Sequence, residues 1–134
     1  MMSENESDIK KHLIEYTSEN LQLLGITFQN GYFVAIYEKK NMKLGTTALS
    51  LPVTTNTESK HTISVNEKIP FNRKGITTAT VIGSRNEIIT KALAEKITLS
   101  TNGLVYLSVN FQEDNKEFFN EAMKLVEKFI EKIT

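Results

Sequence analysis

The chain has 134 residues, with 16 Lys plus Arg against 16 Asp plus Glu and no cysteine. That length suits one domain with one core, and the missing thiols exclude disulfides, thiolate metal sites and a cysteine nucleophile. Zero formal charge lacks the field expected of a nucleic-acid or membrane-surface binder, and no uncharged apolar run nears the roughly 20 residues that span a bilayer. The opening MMSENESDIKK is polar where a secretory leader would be basic and then apolar. We therefore expect a single domain over residues 1–134, disordered over 1–9, in the cytoplasm with the nucleus as a second location.

Residues His12 to Thr17 read as a strand or a helix. Leu21 to Phe28 and Tyr32 to Tyr37 are β-type runs joined through Gln29-Asn30-Gly31, and Asn-Gly favours a two-residue hairpin loop with positive φ at both positions. After the basic turn Lys39-Lys40-Asn41-Met42-Lys43, Leu44 to Leu51 extends an antiparallel meander. Pro52 to Lys74 is polar and without helical period, a long exposed loop with a short strand at Thr62 to Val65. Gly75 to Ile82 is a further strand. Ser84 and Glu87 then have the spacing of a capping box, so a helix starts there. Its inward stripe is Ile89, Leu93 and Ile97, with Ile88 and Ala92 beside it, and Asn102-Gly103 supplies a left-handed stop. Leu104 to Phe111 is apolar on both alternations, as a central strand is. Asp114 and Glu117 repeat the start signal, and Lys116 to Ile133 carries Phe118, Phe119, Ala122, Leu125, Val126, Phe129, Ile130 and Ile133 at spacings of three and four.

The order is four or five strands, helix, strand, helix. It predicts an α+β domain, a β-meander sheet with two helices on one face. Two helices cover only one face, yet Tyr32 to Tyr37 presents Phe33, Ala35 and Tyr37 one way and Tyr32, Val34 and Ile36 the other. At about 25 cal/mol per Å², leaving three such side chains in water forfeits several kcal/mol. We expect a dimer through the second face, lined by Tyr32, Val34, Ile36 and Tyr106; a meander curling into a closed sandwich within one chain is the alternative.

Catalytic signals are sparse. His12 and His61 have no metal-ligand companion at short spacing and read as surface residues, so no metal is expected. Ser84 after Gly83 admits a hydrolytic or small-molecule-binding site at a helix start, but the second glycine of a nucleophile elbow is missing and capping already explains the serine. Gly45, Gly75, Gly83 and Gly103 are scattered, without a phosphate-binding fingerprint, so no cofactor is expected. On the last helix, Glu127 and Glu131 interleave with Lys124, Lys128 and Lys132 as a solvated face does. Lys39, Lys40, Lys43, Arg73 and Lys74 are candidate contacts for an acidic patch on a protein partner; aromatic interleaving for nucleic acid is absent. The reading is a protein with no enzymatic activity.

Three stretches carry a resemblance: Phe33-Val34-Ala35-Ile36-Tyr37 through Met42-Lys43-Leu44-Gly45-Thr46, Thr80-Val81-Ile82-Gly83-Ser84 with Ala92-Leu93-Ala94, and Val105-Tyr106-Leu107-Ser108-Val109-Asn110-Phe111-Gln112. From about residue 20 to the end the chain resembles the small proteasome-assembly chaperones, the paired third and fourth members. Met42-Lys43-Leu44-Gly45 is similar to the third, but Ser108, Asn110 and Gln112 are nearer the fourth, to which the chain leans. The resemblance implies a non-enzymatic chaperone that dimerises by sheet-to-sheet packing with a companion small chaperone, or with itself. It further implies that this dimer holds a 20S proteasome α subunit, the fifth, during α-ring assembly, without nucleic acid or membrane. A dimeric scaffold of the roadblock or longin kind is a third reading, whose helix precedes the sheet.

Overall fold

The computed structural model describes residues 9–53, 76–83, 85–112 and 116–134. The expectations for residues 1–8, the loop interior with its strand at Thr62 to Val65, His61, Arg73, Lys74, Ser84 and Asp114 lie outside these residues. Residues 9–11 are helical. Six strands follow, β1 (Leu13–Thr17), β2 (Leu21–Phe28), β3 (Gly31–Glu38), β4 (Thr46–Pro52), β5 (Ile76–Ile82) and β6 (Leu104–Asn110), with helices α1 (Glu87–Thr101) before β6 and α2 (Lys116–Ile133) after it.

The spatial order is β1-β2-β3-β6-β4-β5. Every neighbouring pair is antiparallel except β3 and β6, which run parallel from Gly31↔Leu104 to Tyr37↔Asn110. The expected simple meander is therefore corrected: β4 does not pair with β3, because β6 inserts between them. A parallel pair needs a long return connection, and β4, β5 and α1 supply it. The two-sided apolarity of Leu104 to Phe111 fits this central place.

The β2–β3 hairpin forms, but its turn differs from the expected one. Phe28 pairs with Gly31, leaving Gln29-Asn30 as the loop. Positive φ among the described residues occurs only at Asn86, Asn102 and Gly83. Gly31 instead serves a close approach inside the sheet, since a Cβ there would lie 2.2 Å from the Leu104 carbonyl oxygen.

Both helices lie on one face. From α1, Ile89, Leu93 and Ile97 point into the core as expected, while Ile88 is 84% exposed, Ala92 is exposed as well, and the inward flank is Thr90, Ala94 and Thr98. The helix begins at Glu87, preceded by Asn86 in the left-handed region with no side-chain cap, so the position expected of Ser84 falls to Asn86. The Asn86 amide instead donates to the Phe111 carbonyl at 2.9 Å, which ties the helix start to the end of β6. Asn102, left-handed at φ 62, closes the helix and donates its backbone N–H to the Thr98 carbonyl. From α2, Phe118, Ala122, Leu125, Val126 and Phe129 are buried against Leu21, Leu23, Val34, Ile36, Val105, Leu107 and Val109. The Phe129 ring meets Tyr32 edge-on at 5.8 Å and lies so close to Gly25 that a Cβ there would be 2.5 Å from it.

Candidate interaction surface

The strand registers say which side chains share the face turned away from the helices. Partners opposite one another point the same way. One row crosses all six strands: Leu13, Ile26, Phe33, Tyr106, Leu49 and Ala79. It is apolar from end to end, with Tyr106 44% and Leu13 38% exposed and Ile26, Phe33 and Leu49 half-buried. On one side of this row, Phe28 is 59% exposed beside a shallow hollow of about 360 Å³, walled by Tyr32, Phe33, Leu104 and Tyr106. On the other side comes the mixed row Glu15, Leu24, Ala35, Ser108, Thr47 and Ile82, then Thr17, Gln22, Tyr37 and Asn110. The face thus grades from apolar at the β2–β3 turn to polar at the opposite end.

The expected lining residues separate in the structure. Tyr106 lies on the uncovered face. Tyr32, Val34 and Ile36 do not: they belong to the helix-covered face, where Val34 is fully buried, Ile36 is 1% exposed and Tyr32 packs on Phe129. Alternation fixes the two sets, and α2 sits on the set containing Val34, so Phe33 takes the place given to it. Signals within β3 alone could not orient the strand, since both of its alternations are apolar.

Part of the second face is covered by the chain itself. Met42, Lys43 and Leu44 run beside Leu24, Phe33, Ala35 and Tyr37 around a recess of about 150 Å³, and Ala35 and Tyr37 are buried. This strap ends where the Gly45 N–H donates to Ser108 Oγ at 2.8 Å. Burial raises the Tyr37 phenol above its usual pKa, and the Glu15 carboxylate raises it further. Met42 and Leu44 themselves remain 70% and 69% exposed, continuing the apolar surface outward.

Lys39 and Lys40 are exposed on the turn closed by the Asn41 N–H to the Glu38 carbonyl, at the polar end of the face, while Lys43 lines the recess. His12 is exposed, its Nδ1 3.2 Å from Thr27 Oγ1. Lys124, Glu127, Lys128, Glu131 and Lys132 are exposed, as a solvated face requires. No three His, Asp or Glu side chains among the described residues gather as metal ligands, and no helix among them is long and apolar enough to cross a membrane.

No protein-family model and no curated protein matches this sequence. In three dimensions the chain is similar to a chain of a crystallised chaperone complex for yeast 20S proteasome assembly, with a TM-score of 0.58 and 10% identity, over 90% of this chain and 93% of that one. At that identity the likeness is one of fold, and it extends across nearly the whole length of both chains.

Proposed function

We propose that this chain is a non-enzymatic assembly chaperone for the 20S proteasome, working in the cytoplasm as a dimer joined through the uncovered sheet face. The observation that supports it most is the apolar row Leu13, Ile26, Phe33, Tyr106, Leu49 and Ala79 on a fold shared with a proteasome-assembly chaperone. Monomeric proteins seldom leave an apolar band across a whole sheet open to water. An aromatic residue near the centre of such a band is the usual anchor of an interface, and Tyr106 has that position between Phe33 and Leu49.

In this reading the occupant of the row is a companion small chaperone or a second copy of the chain. The exposed Lys39 and Lys40 and the neighbouring Lys43 remain available at the polar end for an acidic patch on a proteasome α subunit, the fifth by the resemblance. Affinity capture of the tagged full chain from its own cells, read by mass spectrometry, tests the assignment. It predicts co-recovery of proteasome α subunits with a second small chaperone or with untagged chain; recovery of no proteasome subunit contradicts it.

A further inference from the structure

The two helices are seated on the sheet by different chemistry. Every buried residue of α2 is apolar, and the edge-on ring pairs Tyr32–Phe129 and Phe111–Phe118, both at 5.8 Å, lie at its contacts. The seam under α1 is threaded with hydroxyls instead. Thr90 and Thr98 are buried on the helix, and Thr46 and Ser50 are buried on β4. The hydroxyl bond that crosses the seam is long, Thr98 Oγ1 donating to the Ser50 carbonyl at 3.5 Å, and Thr78 Oγ1 reaches Ser50 Oγ only at 3.4 Å between β5 and β4. Thr90 Oγ1 donates within its own helix turn to the Asn86 carbonyl at 2.5 Å, and Thr46 Oγ1 donates to the Arg85 carbonyl. The Thr80 hydroxyl on β5 is buried and meets no partner among the described residues. A buried hydroxyl left unsatisfied loses its hydration without compensation, so this seam is intrinsically the weaker one.

Topology makes the weak region a unit. β4, β5 and α1 follow one another in the chain between β3 and β6, so they can leave the sheet without unthreading anything else. Their attachments to the remainder are the β4–β6 ladder from Thr46 to Ser50, the Gly45–Ser108 and Asn86–Phe111 hydrogen bonds, and the apolar side of α1. β1, β2, β3 and α2 keep their mutual contacts when that unit moves. We infer that β4, β5 and α1 open together as a cooperative unit while β1, β2, β3 and α2 stay folded, dismantling the part of the apolar row that Leu49 and Ala79 provide. The inference needs no particular occupant of the row, and any occupant that requires Leu49 and Ala79 in place would suppress the opening by mass action.

Native-state hydrogen exchange of the full chain across a denaturant series tests this. Amides of β4, β5 and α1 are expected to share one opening, with protection factors at least tenfold below those of β2, β3 and α2. Thr80→Val, nearly the same shape without the hydroxyl, is expected to raise protection several-fold in β4, β5 and α1 alone. Exchange of all these elements through one global unfolding would overturn the inference. So would a Thr80→Val variant that changes both groups equally, changes neither, or lowers protection in the unit.

Discussion

Val34 and Tyr106 show how far one residue's place decides its role. Val34 is an aliphatic side chain with no exposure, enclosed by both helices' core, whereas Tyr106 stands half in solvent on the opposite face. A charge at Val34 therefore attacks the fold itself. Val34→Asp is expected to destabilise the domain by at least about 3 kcal/mol, since an unpaired carboxylate would replace a methyl pair in an apolar interior. Chemical denaturation measures this, and a variant that unfolds at the wild-type midpoint would contradict the placement. Nothing in the residues of β3 announced which alternation the helices would take. Gly25 on β2 lies on the covered side, where its missing side chain leaves room for the Phe129 ring.

Between elements, the β1–β2 turn is tied to α2 by a single carboxylate. Glu121 accepts hydrogen bonds from Ser18 Oγ, from the Asn20 N–H at 3.0 Å and from Asn20 Nδ2 at 2.7 Å. Burial alone would raise its pKa, but the Ser18 and Asn20 side chains and the Asn20 and Leu21 backbone outweigh this and hold it below the ordinary value. A depressed carboxyl contributes stability that is present above its unfolded pKa and lost as pH falls through the folded one. Glu121→Gln is accordingly expected to cost about 1 kcal/mol at neutral pH. The gap should close as the solution is acidified below the usual carboxylate range. Thermal melts of both proteins across that range would show it, and a gap independent of pH would contradict the assignment. No spacing in the sequence signals this contact, because its partners are 101 and 103 residues apart. Strands β2 to β6, the helices α1 and α2 and the Asn102 stop were legible because each rests on local periodicity or on one residue's backbone preference, whereas β1 read equally as strand or helix. The place of β6 between β3 and β4 was not, since strand order depends on contacts distant in the chain. The hairpin at residues 28–31 was legible in place and not in detail: Gly31 answers to the Leu104 carbonyl and not to a turn.

At the scale of the molecule, the sheet has one face closed by two helices and another crossed by an apolar row that, among the described residues, the Met42–Leu44 strap partly shields. The excess of apolar surface could be counted from the sequence. The strap's position over Ala35 and Tyr37 could not, because an irregular segment carries no period that predicts where it lies. Association through the open face is the claim on which the functional reading depends. Sedimentation velocity of the wild-type chain and of Tyr106→Asp tests it most directly. The wild type is expected at twice or more the 15.2 kDa monomer mass, and Tyr106→Asp at the monomer mass while still folded by circular dichroism. A folded wild type that sediments as a monomer, or a variant that associates as tightly as the wild type, would contradict the account.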